Sequence, residues 1–139
     1  EAIADHGTPG SIDEDLQQLF RRIVFNILVS NRDDHLRNHG FLRSDRGWRL
    51  APAFDLNPSP AKAEHELSIN ENLPVPDVAL ALETAPFYRV SETRARQIVD
   101  EVTEVVGSWR QLAAEIRFPD HEVELMAQAF VAAERGSAP

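Results

Sequence analysis

Apolar residues recur at helical spacing over Ile12, Leu16, Leu19, Phe20, Ile23, Val24, Ile27 and Leu28. Phe25 and Val29 widen the stripe, so the pattern predicts a helix enclosed on most of its sides. Ser11 stands where an N-cap belongs, and Glu14 three residues later completes a capping-box pattern. The period stops at Asn31. Residues 31–38 are polar and aperiodic and read as a loop. Gly40–Arg43 and Trp48–Ala51 flank a Ser44-Asp45-Arg46-Gly47 turn, which predicts a β-hairpin whose second strand ends at Pro52. Residues 57–76, with Pro58, Pro60, Pro74 and Pro76, read as a long irregular segment holding a short strand near Leu67-Ser68-Ile69. Helices follow over roughly 78–82, 91–106, 109–116 and 121–134, the second capped by Ser91. Ile98, Val102, Val105 and Val106 form one apolar stripe; Val123, Met126, Ala127 and Phe130 form another. Gly7, Pro9 and Gly10 make residues 1–10 a flexible lead-in, and residues 136–139 read as a disordered tail. The predicted class is mainly α with one small β-hairpin.

Composition narrows the function classes. A chain of 139 residues fits one domain, and a 42% hydrophobic share is that of a globular protein. No apolar run approaches a membrane span. Cysteine is absent, which excludes disulfide scaffolds and thiolate chemistry and fits a cytoplasmic protein. The net charge of −9 is uneven, −2 over residues 1–60 and −7 over residues 61–139. Such an acidic second half argues against broad nucleic-acid binding and against docking on anionic membranes.

The chemistry concentrates in Asn31-Arg32-Asp33-Asp34-His35-Leu36-Arg37-Asn38 and in Asp55, which follows the hairpin. An aspartate, an asparagine five positions on, and a later isolated aspartate stand in the order of a phosphotransferase site. Mg²⁺ takes oxygen ligands, and Asn38 and Asp55 offer an amide oxygen and a carboxylate. Asp33 would accept or orient the attacking hydroxyl, with Arg32 or Arg37 offsetting phosphate charge. Asp34 has nearly the same chemical claim as Asp33; only the five-residue gap to Asn38 favours Asp33. The bland reading makes these residues the caps of a solvated turn. His35 and His39, four apart, with Asp33 or Asp34, raise a transition-metal hydrolase as a further option, but that geometry needs a helix. His35 then orients a neighbour and His39 is structural. His65 reads as a solvated loop histidine. Trp48 and Trp109 read as core anchors, and Glu101, Glu104, Glu122 and Glu124 as exposed helix faces. No glycine-rich phosphate loop is present, and Lys62 is the only lysine.

The run from Leu19 through Asn31-Arg32-Asp33-Asp34-His35-Leu36-Arg37-Asn38 to Leu42, continued by Trp48-Arg49-Leu50-Ala51-Pro52-Ala53-Phe54-Asp55-Leu56-Asn57-Pro58, resembles the C-terminal lobe of the HipA family. Those proteins are bacterial serine/threonine kinases of type II toxin–antitoxin systems. The resemblance covers roughly residues 11–135 and implies the C-terminal lobe of a protein-kinase-like fold without its N-terminal β-rich lobe. It implies Asp33 as catalytic aspartate, His35 as a supporting residue of the same loop, and Asn38 and Asp55 as magnesium ligands. It also implies ATP and Mg²⁺ as cofactors, a HipB-like DNA-binding antitoxin as partner, and a protein hydroxyl as acceptor, in a translation factor in studied relatives. The family's phosphate loop and nucleotide-pairing lysine have no counterpart here, so the chain reads as a fragment expected to be inactive alone. The alternative is a degenerate lobe that binds an antitoxin or another partner.

Overall fold

The computed structural model describes residues 1–60 and 78–136. In chain order the elements are α1 (Ala2–His6), α2 (Ile12–Leu28), a 3₁₀ turn (Leu36–Asn38), β1 (Phe41–Ser44), β2 (Gly47–Leu50), α3 (Val78–Thr84), a 3₁₀ turn (Ala85–Tyr88), α4 (Glu92–Gly107), α5 (Trp109–Glu115), α6 (Asp120–Ala127), a 3₁₀ turn (Gln128–Phe130) and α7 (Val131–Gly136). The described residues are therefore mainly helical with one antiparallel hairpin, as the periodicity predicts. The strand predicted near Leu67 lies outside the described residues. Among the described residues no helix is long and apolar enough to cross a membrane.

Helix α2 is the centre. Its apolar stripe buries Phe20, Val24 and Leu28 against Ile98, Val102 and Val106 of α4, with Ala81, Ala85 and Ala133 closing the core. Ser91 caps α4 as predicted, its Oγ accepting the Arg94 N–H at 3.3 Å. Arg94 reaches back to Gln17, and Glu101 accepts from Arg21 and Arg94, so polar contacts also join α2 to α4. Those two arginines hold the Glu101 carboxyl below its usual pKa, the Arg21 bond being the larger cause.

Four features depart from the expectation. Residues 1–10 are not a flexible lead-in: Ile3 of α1 is buried, Gly7 bridges Trp48, and the Thr8 N–H donates to the Trp48 carbonyl at 2.8 Å. One short helix with a single buried residue is too little for periodicity to detect. Ser11 does not cap α2 through its side chain, because its backbone (φ −117, ψ −1) lies outside the extended region that aims a cap oxygen at the helix. The helix predicted over 121–134 is broken by the turn at Gln128–Phe130, where Phe130 stacks on Trp109 with ring centroids 4.4 Å apart. Val105 is 71% exposed, so the α4 stripe is narrower than predicted.

The hairpin forms in the predicted place. Phe41 pairs with Leu50 and Ser44 with Gly47, leaving Asp45 and Arg46 as the two-residue connection. The Ala51 N–H extends the ladder to the Gly40 carbonyl at 2.9 Å.

Burial gives the first stability prediction. Ile98→Ala should cost about 2–5 kcal/mol, because the core around it cannot fully collapse. Val105→Ala should move stability by no more than about 0.5 kcal/mol. Urea midpoints of the two variants check both; equal losses would contradict the burial assignment.

Candidate functional site

Helix α2 ends in a backbone motif that launches the polar loop. Ser30 adopts φ 52 and donates its N–H to the Ile27 carbonyl at 3.1 Å, while the Asn31 N–H reaches the Asn26 carbonyl at 2.8 Å. That double closure is a Schellman stop, built here on a serine where glycine is usual. Asn31 then works in both directions. Its Nδ2 donates to Asn26 Oδ1 at 3.1 Å, and its Oδ1 accepts the Asp33 N–H at 3.2 Å. From the far side of the loop, Asn38 Nδ2 donates to the Asp33 carbonyl at 3.1 Å. The Asn38 N–H donates to the His35 carbonyl at 2.9 Å, closing the 3₁₀ turn.

The two adjacent aspartates are thereby set apart. The backbone of Asp33 is held on both sides while its side chain is exposed and takes no hydrogen bond among the described residues. Asp34 is partly buried, and its carboxylate lies 3.1 Å from Nε2 of His39. The two form a close contact without a hydrogen bond, and Asp34 Oδ1 and His39 Nδ1 are buried without a hydrogen-bond partner among the described residues. His35, Arg32 and Arg37 are exposed. The grouping of Asp33, Asp34, His35 and His39 as a transition-metal centre does not form. Among the described residues no three His, Asp or Glu side chains come together to hold a metal ion.

Asn38 is 94% buried, being 6% exposed. Its nitrogen is engaged by the Asp33 carbonyl, which leaves the amide oxygen as its remaining ligand atom. Asp55 is exposed, adopts φ 55, and accepts a hydrogen bond from Asn57 Nδ2 at 2.6 Å. The hairpin brings the two segments together at Gly40 and Phe54: a Cβ added to Gly40 would lie 3.2 Å from the Phe54 ring. Gly40 is two residues past Asn38, and Phe54 immediately precedes Asp55. No bond joins Asp55 to Asp33 or Asn38 among the described residues. An amide oxygen and a carboxylate, both hard oxygen donors, fit Mg²⁺ better than a transition metal.

Three residues that matter for this geometry escape sequence reasoning: Asp15, Arg22 and Asn26, all buried on α2. Asp15 accepts from Arg49 Nε at 3.0 Å and from the Leu50 N–H at 3.0 Å. Arg22 donates through Nη2 to the Ala51 carbonyl. Burial pulls the Arg22 pKa below its usual value, against the opposing charge of Asp15. The signal in the sequence is polar residues inside a helix whose apolar stripe predicts enclosure on most sides. A cleft of about 460 Å³ opens beside the loop, lined by Ile23, Ile27, Asn31, Asp34 and Tyr88 among others.

Comparison with known proteins adds one finding. The family model described as HipA-like C-terminal domain matches residues 1–109. The match takes in α1 to α4 and stops at the first residue of α5. No curated protein and no solved structure matches the chain.

Two outcomes follow from the loop. Asn31→Ala removes both side-chain bonds and leaves buried Asn26 Oδ1 unpaired, so it should cost about 1–3 kcal/mol in denaturant unfolding. Burial, and secondarily the charge of Asp34, raises the Tyr88 pKa above 10.0. The folded state thus favours the neutral phenol. Its stability is intact below pH 10.0 and falls as the pH rises from there through the higher folded pKa. Tyr88→Phe should flatten that alkaline loss; an unchanged slope in unfolding measured between about pH 9 and 11 would refute the assignment.

Proposed function

The chain belongs to the HipA-like C-terminal domain family, and on that premise we propose that it supplies the catalytic aspartate and magnesium ligands of a toxin-type serine/threonine protein kinase. One observation carries this reading: Asp33 is fixed through its backbone by Asn31 and Asn38, while its carboxylate stays exposed and unbonded among the described residues. A general base needs both properties, a defined position and an open approach for the acceptor hydroxyl. A partner-binding module without chemistry has no use for that combination.

In this reading Asp33 accepts the proton of a serine or threonine hydroxyl as that oxygen bonds to the terminal phosphorus of ATP and the bond to the bridging oxygen breaks, releasing ADP. The amide oxygen of Asn38 and the carboxylate of Asp55 would hold Mg²⁺. Bound Mg²⁺ supplies charge neutralisation at the phosphates. His35, beside Asp33 in the loop, supports the acceptor side. Asp34, partly buried with Oδ1 3.1 Å from His39 Nε2, stands behind the loop and takes no part in the transfer. Family membership suggests a HipB-type antitoxin as partner, and the acceptor in this reading is a serine or threonine hydroxyl of a protein. The sequence offers no glycine-rich phosphate loop and no lysine other than Lys62, so the 139 residues by themselves should show no kinase activity.

The test joins the chain to the nucleotide-binding lobe of a HipA-family kinase and follows phosphate transfer from Mg²⁺-ATP to protein. Asp33→Ala should lower the rate by about 10²–10⁴-fold, the usual weight of a general base, whereas Asp34→Asn should cost far less. A chimera that loses activity at Asp34 and keeps it at Asp33 would reverse the two roles. Activity in the 139-residue chain alone, abolished by Asp33→Ala, would show that it needs no second lobe.

A further inference from the structure

Helix α2 carries three buried polar side chains on one face. Asp15, Arg22 and Asn26 follow one another at spacings of seven and four, which align along a helix. Their partners form a sequence of their own. Asp15 holds Arg49 and the Leu50 N–H, Arg22 holds the Ala51 carbonyl, and Asn26 holds Asn31. Ala51 precedes Asp55 by four residues, and Asn31 precedes Asp33 by two. One helix face thus grips both segments that carry the proposed site. Between Arg22 and Asn26 lies roughly one turn, about 6 Å of rigid helix rise. That distance fixes the exit of β2 relative to the start of the loop.

Arg22 is the informative member. Its Nε and Nη1 are buried and have no hydrogen-bond partner among the described residues. Burying a guanidinium with two donors unsatisfied costs stability, and a side chain that served packing alone would need no charge. Among the described residues its hydrogen bond goes to the backbone of the Asp55 segment. Arg22 also lines a cleft of about 270 Å³ together with Ala53 and Leu56, the residues around that same segment.

We propose that Arg22, assisted by Asp15 and Asn26, is a positioning residue that sets the Asp55 segment against the Asn38 loop. It touches neither metal nor substrate and acts through the Ala51 carbonyl. This inference rests on the reading that Asn38 and Asp55 hold Mg²⁺.

The test uses the full 139-residue chain with Mn²⁺ as the probe, titrated by electron paramagnetic resonance. Amide hydrogen exchange at Phe54 and Asp55 and the melting temperature are measured alongside. Arg22→Met should melt no lower than the parent, since burial disfavours the guanidinium charge more than Asp15 favours it and the Ala51 carbonyl it leaves is partly exposed to water. Its Mn²⁺ affinity should nevertheless fall about tenfold, and the Phe54 and Asp55 amides should exchange faster. Arg22→Lys, which keeps one donor for the Ala51 carbonyl, should recover part of the affinity.

If Arg22→Met leaves affinity and exchange unchanged while Asp55→Ala abolishes binding, the positioning role is overturned and the metal reading stands. A melting temperature that drops together with the affinity makes Arg22 a stability residue only and also overturns it. If the parent binds no Mn²⁺, or Asn38→Ala and Asp55→Ala leave binding intact, the metal reading fails. Exchange then decides alone: faster exchange supports the hold on the Asp55 segment, and unchanged exchange overturns it. Should Arg22→Met fail to fold, Arg22→Gln is judged by the same measurements.

Discussion

Enclosure of α2 governs this structure. A helix surrounded by protein on most of its circumference leaves its polar side chains no water to turn to, so each needs an internal partner. Phe20, Val24 and Leu28 create the enclosure by packing on α4. Asp15, Arg22 and Asn26 are the groups caught inside it. Their partners are the hairpin, the strand exit and the polar loop. The apolar core and the candidate site are therefore one construction, because the packing that stabilises α2 also dictates where the site segments attach.

The same logic separates two aspartates that the sequence presents as near equals. In a polar loop a carboxylate can serve as scaffold or stay open. Asp34 is drawn to His39 and partly buried, while Asp33 has its backbone held and its side chain outside. The two differ in what holds them: hydrogen bonds fix the Asp33 backbone, whereas the Asp34 carboxylate has a close contact with His39 and no hydrogen bond among the described residues. The cleft beside the loop is lined by Arg32 and Asp34, the residues on either side of Asp33, and by Tyr88.

Much of this was legible beforehand where a pattern repeats. The apolar stripe of α2, the hairpin around Asp45-Arg46 and the Ser91 cap of α4 all follow from local rules. What escaped depends on partners far away in sequence. The order of residues 1–8 comes from Trp48, some forty positions on. The failure of Ser11 as a cap is decided by its own backbone angle, which composition does not encode. The break at Gln128–Phe130 has no glycine or proline to announce it. In the site, the order Asp33, Asn38, Asp55 was readable, whereas the hold of Arg22 on Ala51 joins residues 29 apart.

Two glycines with left-handed φ show how differently this chain would tolerate variation. Gly10 (φ 87) has nothing within 4 Å of an added Cβ, so a residue such as asparagine meets only the modest conformational cost of that backbone. Gly47 (φ 147) has the Thr8 nitrogen 2.9 Å from the same point, and backbone cannot step aside. A library randomised at both positions would accept a small set of residues at 10 and almost none at 47. The rejection at 47 would be relieved only by variants that release residues 7–8 from the hairpin. Sequence drift at the hairpin turn is in this way coupled to the first segment of the chain.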